Sequence, residues 1–234
     1  MVNVTWDDAV AFCKWLRTGE SISVGLSPFA PRKPRSFAER KATLISAPVL
    51  SRREGKTYRL PAEAEWEYAC RAGTKTRYYS GDDPEMLAKV GNVADAAAKA
   101  KFPDLKYTIK ANDGYAFTAP VGKFKPNAFG LYDMHGNAYQ WCADWYAADY
   151  YGKSPVDDPK GPDTGDFRVV RSGCFSSGPI SARSAGRMGF NPRYRHFGAG
   201  FRVAMTLGVV VQRLDTTEGT HWKSSITTLG RFTK

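Results

Sequence analysis

The sequence predicts an irregular α+β domain with little regular secondary structure, and three features carry that expectation. The stretch from Val121 to Tyr146 sets two turns inside one apolar, ring-rich run. Two segments, beginning near Thr5 and near Tyr58, combine helical spacing with end signals. The chain after Arg168 offers short extended pieces separated by Gly, Ser and Pro.

Length and composition bound the problem. At 234 residues with 42% apolar content, the chain suits one domain with a sizeable core. No apolar run reaches the roughly 18 residues that span a bilayer, and no signal peptide opens the sequence, so a cytoplasmic protein is the default expectation. Lys and Arg number 34 against 23 Asp and Glu, a formal charge of +11 that favours acidic partners or polyanions. The cysteines, Cys13, Cys70, Cys142 and Cys174, are widely separated and lack the spacing of a zinc site. Cys13 and Cys70 fall beside apolar residues on helical faces, as buried free thiols do.

Taken in order, Val2-Asn3-Val4 reads as extended. Thr5 then caps a helix, with Asp8 completing an approximate capping box and Ala9, Phe12, Cys13 and Leu16 on one face. Residues from about 18 to 56 are rich in Gly, Ser and Pro and then in Arg and Lys, and read as a basic insertion that could meet phosphates or an acidic protein. Tyr58 to Gly73 is the clearest helix, with Pro61 in its first turn, Glu63 and Glu65 near its start, Trp66, Ala69 and Cys70 on its buried face and Gly73 as its stop. Tyr78 to Asp83 is a strand end and turn, Val93 to Ala100 a short helix or a loop, and Asn112 to Tyr115 a turn.

In the central stretch, Lys125-Pro126-Asn127 makes a turn, Gly130 breaks the backbone, and Gly136-Asn137 makes a second turn able to adopt positive φ. Phe129, Leu131, Tyr132, Met134, Tyr139, Trp141, Trp145 and Tyr146 are too many large side chains for a surface loop, so core on irregular backbone is expected. Such backbone needs partners, and a bound cation is one source of them. Residues 144–166 read as a loop. After it come Val169-Val170 as a strand, Ala182 to Ala185 as a short returning strand and Gly200 to Ala204 as a closing one, with another strand open at Val209 to Val211.

These residues resemble the family of the formylglycine-generating enzyme, the sulfatase-modifying factor. The run from Asn127 through Leu131, Tyr132, Asp133, Met134, Gly136, Asn137, Trp141, Asp144, Trp145 and Tyr146 matches its hallmark, with Gln140 where the family has Glu. Thr5 to Leu16, Arg59 to Ala69, Arg168 to Phe175, Ala182 to Arg187 and Gly200 to Arg202 match further family segments. The resemblance spans Val2 to Met205 and assigns residues 1–205 to one domain of C-type-lectin-like fold, N-terminally short, with residues 206–234 as a C-terminal extension.

The resemblance implies a structural calcium held by Asn92, Val93, Asp113 and Tyr115, and a weak second site at Asn137 and Gln140, where an amide replaces a carboxylate. It also implies copper chemistry by two thiols shortly before the Ala182-Arg183-Ser184 segment. Here Phe175 to Ser181 stand instead, and serine hydroxyls cannot replace thiolates for monovalent copper, so copper is not expected. Cys174 remains as a lone weak catalytic candidate. His135, His196 and His221 lack the spacing of a facial triad for iron.

What the chain offers between Phe175 and Phe197 is a mixture suited to recognition, and some relatives in this fold are binding proteins diversified in this segment. A catalytically degenerate binding protein is the expected function, its protein or other macromolecular ligand touching Phe175, Ser177, Arg183, Arg187, Phe190, Asn191, Arg193, Tyr194, Arg195, His196 and Phe197. Two alternatives stand beside it: a metal-dependent oxidase acting on cysteine or a related thiol, and a basic module associated with nucleic acid.

Overall fold

A computed structural model describes residues 2–18 and 56–207. The basic insertion, the segment from Val209 and His221 lie outside the described residues. No helix among the described residues is long and apolar enough to cross a membrane.

Helix α1 spans Trp6–Thr18. Its start is the reciprocal cap that Thr5 and Asp8 announce: the Thr5 amide donates to Asp8 Oδ2 (2.9 Å) and the Asp8 amide to Thr5 Oγ1 (3.0 Å). Ala9 and Cys13 are buried, with Phe12 half-buried against Phe201. Ahead of the helix the chain is not extended throughout, because Asn3 takes a left-handed φ of 64°.

Strand β1, Lys56–Arg59, precedes helix α2, Glu63–Arg71. The helix is shorter than its sequence pattern, for Tyr58 and Arg59 pair with strand β8, Ala204–Leu207, before it begins. Pro61 stands outside the first turn, and Ala62 is the cap, its amide donating to Glu65 Oε2 (2.8 Å). A 3₁₀ turn at Pro84–Met86 runs into α3, Leu87–Val90. Then come β2, Gly91–Asn92, and α4, Ala96–Lys101, which Asp95 caps by accepting from the Ala98 amide (2.9 Å).

The central sheet has the order β6-β5-β4-β7, with β4 at Tyr139–Trp145, β5 at Arg168–Arg171, β6 at Met188–Phe190 and β7 at Ala199–Phe201. β4 is antiparallel to β5 and parallel to β7. One turn of helix, α5 at Tyr150–Lys153, lies in the loop after β4. Residues 182–185 form turns rather than a returning strand, and the chain pairs with β5 only at β6. β7 and β8 are separate strands in different sheets, so the expected closing strand is divided.

A second junction matters more for function. β2 pairs in parallel with β3, His135–Gly136, through Gly91↔His135 and Asn92↔Gly136. A Cβ on Gly91 would lie 1.9 Å from the His135 carbonyl oxygen, and one on Gly136 2.0 Å from that of Asn92. Only backbone without side chains permits that approach.

The core follows the sequence only in part. Met134, Tyr139 and Trp141 are buried, but Phe129 and Tyr132 are half-exposed. Asn127 explains the difference, because its side chain bonds the Ala69 and Cys70 carbonyls and the Phe129 and Leu131 amides. An amide thus anchors this loop from within and leaves its rings outside.

Beneath α2 lies a buried ionic group. Glu63 and Arg171 have side chains 1% and 0% exposed and meet at 2.7 Å. Arg187 adds a second cation to Glu63 (2.6 Å), and Glu67 a second anion to Arg171 (2.6 Å).

Asp144 packs beside this group, its Oδ2 accepting from the Glu63 amide (2.7 Å) and its Oδ1 buried without a hydrogen-bond partner. Burial pushes its carboxyl up to about 6, and the Glu63 charge adds to the rise. A folded-state pKa above the ordinary carboxylate value means stability fully present below about pH 4 and lost as pH rises through about 6. We expect the domain to lose about 2–3 kcal/mol from this group between pH 4 and pH 7. Asp144→Asn should flatten that part of the urea-midpoint profile, and an unchanged slope in the variant would refute the assignment.

Candidate functional site

Three loops converge on β2. Asn92 is fully buried, its Nδ2 donating to the Phe117 carbonyl (2.8 Å) and its carbonyl accepting from the Asn137 amide (2.6 Å). The Asp113 amide donates to Asp95 Oδ2 (2.6 Å), and Asp113 Oδ1 accepts from the Tyr115 amide (2.8 Å). Two oxygens in this cluster, Asn92 Oδ1 and Asp113 Oδ2, are buried with no hydrogen-bond partner. Burial pushes the Asp113 carboxyl up to about 7, with the Asp95 carboxylate raising it further.

Unpartnered buried oxygens beside a pair of carboxylates are what a hard cation needs, so Asn92 and Asp113 fit the calcium that the family resemblance implies. The bond from the Asp113 amide to Asp95 brings the Asp113–Tyr115 turn beside the chain that follows Asn92 and Val93.

The second expected site is different. Gln140 Oε1 already accepts from Trp66 Nε1 (2.8 Å) and Arg202 Nε (3.1 Å), and its Nε2 donates to the Asp133 carbonyl (2.7 Å). Asn137 Oδ1 accepts from the Ala119 amide (2.8 Å). Both amides are occupied by protein partners, the Arg202 guanidinium among them. Asn137 and Gln140 therefore do not fit a metal site, since the Gln140 carbonyl oxygen is shared by Trp66 and Arg202.

Copper does not fit either. All four cysteines are buried and free. Burial pushes the Cys13 thiol up to about 11 and Cys70 to about 12, and it raises Cys142 as well. Cys174 Sγ lies 3.3 Å from both Ser176 Oγ and Ser177 Oγ, and Ser177 Oγ meets the Tyr139 hydroxyl (2.8 Å). That is a packed thiol among hydroxyls, with no second thiolate beside it.

His135 is equally committed to structure. Its Nε2 accepts from the Tyr79 amide (3.1 Å), so Nδ1 carries the proton and donates to the Ala182 carbonyl (2.7 Å). Burial lowers it to about 4.

The expected contact segment divides by depth. Phe175 and Ser177 are buried, Arg187 is held by Glu63, and Phe190 packs on Trp141 and Tyr139. Arg183, Asn191, Arg193, Tyr194 and Phe197 are exposed, while Arg195 and His196 are half-buried, with Arg195 paired to Asp8. The structure adds two rings that the sequence reading missed. Phe102 meets Phe117 at 5.4 Å, Phe117 meets Phe175 at 6.0 Å, and Phe175 meets Phe197 at 5.6 Å. Phe197 stacks on His196 at 4.3 Å, and His196 contacts Tyr194 at 5.7 Å.

The result is a continuous aromatic ridge across three segments. Phe117, Tyr194 and Phe197 are 53%, 51% and 57% exposed on it, with buried Phe175 tying the middle together. Phe117 is set there by the same Asn92 side chain that belongs to the candidate cation site. Loop rings carry no periodicity, so no pattern in the chain marked Phe102 and Phe117.

Comparison with known proteins agrees with the fold. The family model described as "Sulfatase-modifying factor enzyme 1-like domain" matches residues 1–207. The curated formylglycine-generating enzyme of Streptomyces coelicolor is 40% identical over 207 residues, covering 87% of this chain and 52% of that protein. The chain spans about half the length of the curated formylglycine-generating enzymes it matches. Among solved structures, PvdO from Pseudomonas aeruginosa aligns with a TM-score of 0.59 at 30% identity, over 88% of this chain and 61% of that one. Treponema denticola variable protein 1 aligns with a TM-score of 0.54 at 30% identity, over 65% of this chain and 49% of that one.

Proposed function

The chain belongs to the family of the sulfatase-modifying factor enzyme 1-like domain, and from that premise we propose that it is a ligand-binding member rather than an oxidase. One observation carries the reading: the aromatic ridge from Phe102 to Tyr194 leaves large rings in solvent on a rigid scaffold. Exposed, mutually packed rings are the anchors of binding surfaces, since each buries much area at small entropic cost. The burial of the four thiols supports the same reading, because copper-based oxidation needs two thiolates within reach of one ion.

Calcium belongs to this proposal. Bound by Asn92 and Asp113, it would neutralise the Asp95–Asp113 pair and fix the loop that presents Phe117. Calcium at a hundredfold above its Kd should raise the melting temperature by on the order of 5–10 °C, and EDTA should reverse the rise. Asp113→Ala should abolish the response. A wild-type melting temperature indifferent to calcium would sink this part of the proposal.

The ridge is tested by affinity capture from cell extract with the full chain and its Phe117→Ala/Phe197→Ala variant, both verified as folded by circular dichroism. The variant should lose at least about tenfold in affinity for whatever the wild type retains. Equal retention would overturn the surface. In parallel, copper-supplied protein is offered a cysteine-containing peptide and probed with a hydrazide for aldehyde. None is expected, and aldehyde that disappears in Cys174→Ser would establish the oxidase reading instead.

A further inference from the structure

The ridge has a second property. Three of its exposed rings follow basic or imidazole side chains in sequence, Lys101-Phe102, Arg193-Tyr194 and His196-Phe197, while Phe117 follows Ala116. The neighbouring loop repeats the pattern with Lys106-Tyr107, whose ring residue is 74% exposed and whose backbone packs on Gly178, three residues beyond Phe175. Residues 99–110 carry four lysines and a single acid, Asp104.

The architecture keeps these pairs outward. Asp95 caps α4, and Lys99 Nζ donates to the Pro103 and Leu105 carbonyls (2.5 and 2.6 Å), folding the chain after the helix into a tight loop. The Ile109 amide then bonds the Ala94 carbonyl (3.0 Å), pinning the far end of that loop. Lys101 and Phe102 at the end of α4 and Lys106 and Tyr107 in the loop after it are all exposed, with the Phe102 ring against Phe117.

From this interleaving we infer that the ridge is a docking surface for single-stranded nucleic acid, which gives the binding reading above its partner class and rests on it. Unpaired bases stack on exposed rings at about 1–3 kcal/mol each whatever their sequence, and phosphates are met by Lys and Arg beside those rings. Protein partners fit the same surface less well. Protein interfaces are depleted in Lys, whereas Lys101, Lys106 and Lys110 are all exposed here. An acidic peptide would use the cations and leave the rings without a role.

The test is fluorescence anisotropy with a labelled oligothymidine and an oligouridine of roughly twenty nucleotides, at about 50 and 200 mM salt. Wild-type full-length protein should bind both, with affinity falling steeply with salt. Phe117→Ala/Phe197→Ala should weaken binding at least about tenfold at either salt while leaving the salt slope unchanged. Lys101→Gln/Lys106→Gln should instead reduce that slope by about 1–2.

Three results would overturn the inference: no binding at low salt, binding indifferent to the ring variant, or equal, ring-dependent binding of polyglutamate. The second would place any electrostatic binding elsewhere, as on the basic run between Arg32 and Lys56. If oligonucleotides fail while the captured ligand is still lost with the ring variant, nucleic acid is wrong and the binding surface stands.

Discussion

Glu63→Ala is expected to destabilise the domain by about 3–5 kcal/mol, one of the two largest effects of any substitution argued for this chain. The carboxylate is 1% exposed and accepts from Arg171 Nη1 (2.7 Å), Arg187 Nε (2.6 Å) and Arg187 Nη2 (2.8 Å). Removing it leaves Arg171, whose side chain is fully buried, with Glu67 and the Ser184 carbonyl as its remaining acceptors and with Nε already unpartnered. An uncompensated buried guanidinium is the costly product, more than the lost pair itself. Glu67→Ala, at a carboxylate 28% exposed, removes the other anion where water can enter and should cost markedly less. Urea denaturation of the two variants checks the order, and equal midpoints would refute it. The consequence reaches the ridge, since Arg187 also lies over the Tyr146 and Tyr151 rings and leads into β6 and the loop bearing Tyr194 and Phe197.

How much of this was legible in the chain depends on the range of the interaction. The Thr5–Asp8 cap was readable because both partners sit three residues apart and each type has one preferred local role. The turns at Gly130 and Gly136-Asn137 were readable for the same reason, and all three residues do take positive φ. The Glu63–Arg171 pair spans 108 residues, and nothing local marks a buried glutamate in an acidic first turn, where the helix end alone would explain it.

The strand expected at Ala182 to Ala185 failed because these residues serve as partners for other elements. Ala182 accepts from His135, Ser184 donates its amide to the Arg77 carbonyl, and its own carbonyl accepts from Arg171. No ladder is left for them. Phe175 and Ser177 were expected at the surface by composition, yet the Cys174 amide donates to Ser177 Oγ (3.0 Å), which curls the segment inward under Phe117 and Phe197. Asn92 and Asp113, 21 positions apart, were paired only through the family resemblance. The geometry now supplies an independent reason, in two buried oxygens that lack donors.

Gly136→Ala is expected to cost at least about 4 kcal/mol or to yield no folded protein, and the reason lies entirely in the backbone. Gly136 has φ of 70°, a region that an L side chain enters at roughly 1–2 kcal/mol. The larger penalty is spatial. The added Cβ would lie 2.0 Å from the Asn92 carbonyl oxygen, a backbone group, and 2.9 Å from Cγ1 of the fully buried Val93 side chain, both inside contact distance. Gly136 is also held on its other side, its amide donating to the Ser172 carbonyl (2.7 Å) and its carbonyl accepting from Ser172 Oγ (2.9 Å), so it cannot retreat without breaking those bonds. β2 must then move away from β3, taking Asn92 with it. Gly114→Ala is the control: its φ is 88°, but nothing lies within 4 Å of the added Cβ, so only the conformational penalty of about 1–2 kcal/mol applies. Thermal unfolding of both variants separates crowding from torsion. If Gly136→Ala melts within a degree or two of Gly114→Ala, the close approach of β2 and β3 is not what holds the cation loop in place. If it is far less stable and any folded remainder ignores calcium, one carbonyl–glycine contact sets both the fold at this junction and the placement of Phe117.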